Sequence, residues 1–188
     1  MAVSGRDAET VVIDRRRIIT MDPRMPGAKQ PYHHVAEAKL TEAATYLEEC
    51  SRVSRSLAVG VLEQVMRDLD RRHYRLTGVA LLLASGRALP SLENILASHS
   101  LIHAAEGEFF RQAILDACRH LAIPITGYRE RELDEHAKAA FGSSAVQVKR
   151  TIASLGKSLG PPWTKDEKTA TLAGALLLVD RADRRSAC

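Results

Sequence analysis

The chain of 188 residues is poor in aromatic side chains and in cysteine. It has one Trp, three Phe and four Tyr, or 4% of its residues, so a surface that reads single-stranded nucleic acid mainly by base stacking is not expected. Its three cysteines, Cys50, Cys118 and Cys188, form no CxxC pair. This count and spacing indicate neither a disulfide framework nor a thiolate zinc site, and they fit a reducing compartment.

Long hydrophobic runs are also missing. The longest apolar runs of the sequence are far shorter than the ~20 residues that a membrane span requires, and the N-terminus lacks the apolar core of a signal peptide. The sequence therefore predicts a cytoplasmic protein with no membrane partner.

Positive charge is only slightly in excess of negative charge. The sequence has 27 Lys and Arg against 23 Asp and Glu, for a net charge of +4, and its pI is near 9.1. A balance this mildly basic permits an attraction to nucleic acid but falls short of an electrostatic footprint. Binding to nucleic acid, if it occurs, is expected to be weak and independent of sequence.

Length and composition favour one globular domain covering residues 1–188. The predicted elements are a β-hairpin (10–13 and 17–21), a loop (22–34), a helix (35–72), a buried strand (76–84), a helix (91–121), a strand (123–128), three helices (133–141, 145–155 and 164–179) and a frayed tail (180–188). The strand–helix–strand order predicts neighbouring parallel strands with a right-handed crossover. The fold class expected is α/β, a small mixed sheet with flanking helices.

This order of elements resembles the ribonuclease H-like superfamily, in particular its RuvC-type resolvase branch. Local likenesses are ACRHLAIPITG at 117–127, AVQVK at 145–149 and DEKTA at 166–170. The resemblance implies an association with nucleic acid and, in an active member, metal-assisted hydrolysis of phosphodiesters. The segments SHSLIHAAEGEFFR and LGPPWTKDEK also resemble a bacterial protein family of unassigned function.

The acid set of such nucleases is incomplete in this sequence. Two metal ions about 4 Å apart are held by several carboxylates, and the family uses four. Asp166 matches the first acid of the last helix, but Thr169 stands at the second position. The buried strand ends in Ala84 and Ser85, and Asp14 falls in the turn of the predicted hairpin.

The most unusual polar pattern is His99-x-x-x-His103-x-x-Glu106. If 91–121 is one continuous helix, all three side chains lie within its apolar stripe, because residues i, i+4 and i+7 share a face. Two imidazoles and a carboxylate are a plausible set of ligands for a divalent transition metal or an acid–base relay. The alternatives are a buried structural network and a helix edge that is less buried than this placement indicates. A further metal ligand would have to come through the fold, from His33, His34 or Asp166.

Other candidate residues lie near predicted strand ends and at the last helix. Ligands of open α/β sheets bind beyond the carboxyl ends of strands, where Arg87, Arg129 and Arg131 could hold a phosphate or a carboxylate. Asp166 and Lys168 open the last helix as candidate catalytic and binding residues, although Thr164 and Glu167 also have the spacing of a capping box. The alternative for the arginines is ordinary solvated loop residues.

Three functions follow from these patterns. The first is a nucleic-acid-associated protein of ribonuclease H-like fold, with metal-assisted phosphodiester hydrolysis if it is active. The second is a non-catalytic interaction or assembly module on a degenerate form of that fold. The third is a small-molecule enzyme built around His99, His103 and Glu106. The patterns leave the substrate, the metal and the oligomeric state open.

Overall fold

The computed structural model describes residues 1–5, 10–84, 86 and 88–186. These residues form a mixed α/β protein, as predicted. Its elements, in chain order, are β1 (Ala2–Ser4), β2 (Val11–Asp14), α1 (Pro31–His34), α2 (Leu40–Asp70), β3 (Val79–Leu83), α3 (Leu92–Leu96), α4 (His99–His120), β4 (Ile125–Arg129), α5 (Leu133–Phe141), α6 (Ala145–Ser154), α7 (Gly156–Leu159) and α8 (Lys165–Ser186).

The chain divides into two compact units that alternate along the sequence. Unit 1 comprises residues 1–17, 77–83 and 125–188. Unit 2 comprises residues 18–76 and 84–124. All strands of the described residues belong to unit 1, and unit 2 is helical.

The parallel strand pair of unit 1 confirms the prediction made from the two apolar runs. β3 pairs with β4, with Val79 opposite Ile125 and Leu83 opposite Arg129. The helix α8 packs against β3. β3 is shorter than the strand predicted at 76–84, and β4 begins later than the strand predicted at 123–128.

The hairpin prediction is wrong in its second strand. β2 pairs with β1 in an antiparallel ladder in which Ala2 lies opposite Asp14, and residues 17–20 form no strand. Ile18 and Ile19 are 41% and 56% exposed, so their β-branched side chains have no buried face that would fix a strand. Within the described residues the two strand pairs form separate sheets, whereas the sequence predicted one mixed sheet.

The C-terminal helices of unit 1 enclose its core. α5 has the predicted bounds, α6 ends one residue early, and α8 continues past the predicted helix end to Ser186. Their buried side chains form one cluster with β4, which contains Tyr128, Leu133, Ala137, Ala145, Val148, Ile152, Leu172, Ala173 and Leu176. Removing this much apolar surface from water is the main source of stability for the unit.

In unit 2 the long helix α2 is continuous. Gly60 lies within it, is exposed, and has no atom within 4 Å of the position of an added Cβ. Its cost is therefore confined to the intrinsic helix propensity of glycine, about 1 kcal/mol relative to alanine. The buried stripe of Leu47, Ala58, Leu62 and Leu69 holds the helix against its neighbours.

The helix predicted at 91–121 is interrupted. α3 ends at Leu96, and Ser98 has an extended backbone with φ −136° and ψ 114° before α4 begins. An extended residue breaks the rotation of 100° per residue, so the phase of α3 does not carry over into α4. This break changes the placement of the candidate histidines.

No helix among the described residues has the length and apolar character to cross a membrane.

Candidate metal centre

His99 and His103 form an exposed pair at the start of α4. His99 is the first residue of the helix and His103 lies one turn further, so the two side chains stack on one face. Their Nε2 atoms lie 3.1 Å apart and their ring centroids 4.5 Å apart. The prediction that both lie in the buried stripe is wrong, because that stripe was drawn through the break at Ser98.

Glu106 is buried, as predicted, but its oxygen contacts a residue outside α4. Glu106 is 8% exposed. Its Oε1 accepts a hydrogen bond from the Nδ1 atom of His33 at 2.9 Å and another from the backbone N–H of His33 at 3.2 Å. A buried carboxylate needs such partners to offset its desolvation. Glu106 therefore holds a histidine and is not grouped with His99 and His103 as a ligand.

The short helix α1 carries His33 to this position. Pro31, at the start of α1, is buried, and proline supplies a φ suited to the first helical turn. The Tyr32 ring meets the Phe109 ring of α4 edge-on, with centroids 6.3 Å apart, and it also packs against the core of unit 2. These contacts fix α1 against α4, with the His33 ring 4.7 Å from the His103 ring.

His33, His99 and His103 form a group with the spacing of metal ligands. One ring nitrogen from each lies within 4.8 Å of the others, and no other set of three His, Cys, Asp or Glu in the described part of the chain does so. His33 is half-buried, and the other two are exposed. Since Glu106 accepts from Nδ1, the Nε2 atom of His33 is the one left with a lone pair, as in histidines that bind metal.

The sequence indicated His33 only as one of three residues that the fold could bring to the cluster. The sequence signal for His33 is that it stands next to His34, shortly after Pro31. His33 lies 66 residues before His99 in the sequence. His34 has another environment, because its ring packs 4.9 Å from the ring of Tyr46. Asp166, the third of these residues, belongs to unit 1, whereas His99 and His103 belong to unit 2.

Asp166 lies exposed at the first turn of α8. The neighbouring Thr164 and Glu167 form the predicted capping box: Glu167 Oε2 accepts from the Thr164 backbone at 2.7 Å, and Thr164 Oγ1 accepts from the Glu167 backbone at 3.3 Å. The Thr164 N–H, followed by the Thr164 hydroxyl and Arg15, lowers the pKa of Glu167 below its ordinary range. Within the described residues, Asp166 joins no three-acid group.

Two of the predicted anion-binding residues, Arg129 and Arg131, are paired with an acid. Arg129 and Arg131 both contact Glu132 Oε1, at 3.2 Å and 3.4 Å, and the bond from Arg129 is the main cause of the lowered pKa of Glu132. Lys168 is half-buried in α8. Arg87 lies outside the described residues.

Comparisons with protein-family models, with curated proteins and with solved structures found no match for this chain. The function is therefore argued from the chemistry of the residues themselves.

Proposed function

We propose that the protein binds a divalent transition metal of the zinc class through His33, His99 and His103. The observation that carries this proposal is the convergence of three imidazole nitrogens within 4.8 Å, one of them on a ring whose Nδ1 is bonded to a buried carboxylate. Three neutral imidazoles are the protein ligands of several zinc sites, and imidazole also suits copper, nickel and iron.

The distances are compatible with a tetrahedral ion. A Zn–N bond of about 2.0–2.1 Å separates two ligand nitrogens by about 3.3 Å. The Nε2 atoms of His99 and His103, 3.1 Å apart, are already close to this separation. The two rings are exposed, so their side chains have room to adjust around an ion that also binds the nearby nitrogen of His33.

Glu106 is the positioning residue of this centre. By accepting the Nδ1 proton of His33, its carboxylate selects the tautomer that presents Nε2 to the metal. Its second bond, from the His33 backbone, keeps the carboxylate in place. Outer partners of this kind contribute about 10–100-fold to metal affinity.

The test is zinc binding by the metal-stripped protein, measured by isothermal titration calorimetry. We expect one equivalent of zinc, loss of binding in His33→Ala, His99→Ala and His103→Ala, and binding weakened about 10–100-fold in Glu106→Gln. His120→Ala is the matched control, since it removes an exposed histidine from the far end of the same helix. Equal affinity in His103→Ala and His120→Ala would refute the proposal.

A second candidate function concerns unit 1, whose elements favour the ribonuclease H-like arrangement. The supporting observations are the parallel pair β3–β4, the packing of α8 on β3, and Asp14 at the end of a strand rather than in a turn. With only Asp14 and Asp166 matching the acid pattern, the form best supported is a non-catalytic module that binds nucleic acid weakly and without sequence preference.

Fluorescence anisotropy with two unrelated DNA duplexes tests this second function. We expect similar weak affinities for both, and a shallow fall of log K with log salt, because few phosphates are contacted. Tight and sequence-specific binding at physiological salt would overturn this expectation. Magnesium-dependent cleavage that is lost in Asp166→Ala would instead establish the nuclease alternative.

A further inference from the structure

We infer that the proposed metal centre is hydrolytic: it holds a water molecule in an open coordination position and cleaves carboxylic esters of small uncharged substrates. This inference rests on the proposed function, because it requires a metal at His33, His99 and His103. It goes further by naming the reaction and the class of substrate.

The number of ligands indicates an open position. Structural zinc sites are closed by four protein ligands, whereas catalytic sites use three and leave the fourth position to water or substrate. In the described residues the cluster contains three ligands. The nearest carboxylate, Glu106, uses its Oε1 atom to accept two hydrogen bonds from His33, so it orients a ligand instead of closing the site.

The exposure of the ligands makes this position accessible. His99 and His103 are exposed, and only His33 is half-buried. The open side of the metal therefore faces solvent, where water exchanges and a substrate can approach. A buried site with three ligands would need a channel for both.

The net charge of unit 2 bears on the class of substrate. Unit 2 contains 12 Lys and Arg and 12 Asp and Glu, so it is neutral, whereas unit 1 contains 15 and 11. A neutral surface provides no long-range attraction for a polyanion such as nucleic acid. A neutral ester needs no such attraction, because the metal-bound hydroxide attacks its carbonyl carbon directly and the metal stabilises the charge that develops on the carbonyl oxygen.

The reaction balances without a further reactant. The metal lowers the pKa of its bound water to about 7, and the water loses a proton to the solvent. The hydroxide oxygen forms a bond to the ester carbonyl carbon, and the metal stabilises the oxyanion of the tetrahedral intermediate. The C–O bond to the alcohol breaks, and the alkoxide takes a proton from water and leaves a hydroxide ion. The carboxylic acid loses its proton to that hydroxide, and the carboxylate leaves the metal to a new water molecule. The net change is ester plus water to carboxylate, alcohol and one proton.

The experiment uses the full chain loaded with one equivalent of cobalt(II) or zinc. Cobalt gives visible absorption bands that report coordination, and thiocyanate is added as an anion that enters an open position. Hydrolysis of 4-nitrophenyl acetate is measured for the zinc form, with bis(4-nitrophenyl) phosphate as the phosphodiester comparison. The variants are His103→Ala, Glu106→Gln and, as the control, His120→Ala.

We expect thiocyanate to shift the cobalt bands and the zinc form to hydrolyse the ester faster than the same concentration of free zinc. His103→Ala should fall to the rate of free zinc, and His120→Ala should keep the full rate. Glu106→Gln should need about 10–100-fold more zinc to reach half of its maximal rate, because the amide holds the His33 ring less firmly than the carboxylate does.

The possible failures are distinguishable. If the protein takes up neither metal, the proposed function fails and this inference fails with it. If metal binds but thiocyanate leaves the cobalt bands unchanged and the ester is not hydrolysed, the site is structural, and only this inference is overturned. Faster cleavage of the phosphodiester than of the ester overturns the assigned class of substrate.

Discussion

The two units of the chain differ in what their polar side chains do. Unit 1 holds the whole excess of positive charge, and unit 2 holds six of the seven histidines. Exposed charged groups of unit 1 pair with one another, as in Lys165–Glu130 and Arg129–Glu132. The histidines of α1 and α4 instead gather around one point. The basic pI of the chain therefore describes the surface of unit 1 and says little about the candidate site.

The exposed ion pairs of unit 1 are weak contributors to stability. Pairs open to solvent are typically worth 0–1 kcal/mol, so the stability of this unit depends on its apolar cluster. In unit 2, by contrast, the Glu106–His33 contact is partly buried, and its loss leaves polar groups without partners. Four predictions test this difference, from the largest effect to the smallest.

The largest effect is expected in the core of unit 1. Leu176 is 1% exposed within the apolar cluster, so Leu176→Ala should lower the free energy of unfolding by about 2–5 kcal/mol. Val146, which is 60% exposed on α6, is the control, and Val146→Ala should change it by less than about 0.5 kcal/mol. Urea denaturation measures both, and a Leu176→Ala loss as small as that of the control would contradict the assignment of the core.

The next effect is expected in unit 2 on adding metal. With free zinc at 100 times its dissociation constant, binding to the folded state alone adds about 2.7 kcal/mol of stability. Hydrogen exchange should then slow in α1 and in the first turns of α4, where His33 and His99 lie. His103→Ala should remove the slowing. Equal protection in that variant would show that zinc acts elsewhere.

Within the cluster, Glu106 and the two exposed histidines should differ when no metal is present. Glu106→Ala strands the bonding groups of His33, which should cost about 1–3 kcal/mol. His99→Ala and His103→Ala remove exposed side chains and should change stability by less than about 0.5 kcal/mol. Thermal unfolding of the metal-stripped variants measures this. A large loss in all three would make the cluster a structural network, with no reason to expect a ligand.

The smallest effect concerns the start of α8. Thr164→Ala removes the capping box and should cost about 1 kcal/mol. The lowered pKa of Glu167 adds a pH dependence: its contribution is present above the pKa of the unfolded chain, and it is lost as the pH falls through the lower folded value. Unfolding measured from pH 7 to pH 3 should show a smaller acid-induced loss in Glu167→Gln than in the parent. An identical pH profile would remove this contribution.

Much of the secondary structure was predictable because the signals are local. The apolar runs that became β3 and β4, the bounds of α5, and the Thr164–Glu167 box depend on neighbours within a few residues. The errors arose where local signals were weak or ambiguous. Ser98, the N-cap of α4, is a residue type that favours the start of a helix, but serine also occurs inside helices, so this signal was ambiguous. The β-branched run at 17–21 carried no information on whether a partner strand would cover it.

For the candidate site, only the part that depends on spacing along one helix was predictable. The spacing of His99 and His103 by itself determined that the two imidazoles would meet, because four residues advance a helix by about one turn. The sequence also indicated that Glu106 would join this pair, but its carboxylate bonds to His33 instead. The tertiary structure decided the rest: the break at Ser98 turned the histidines to the surface, and the docking of α1 brought His33 to them. Those outcomes depend on contacts between residues far apart in the chain, and spacing along one helix carries no information about such contacts.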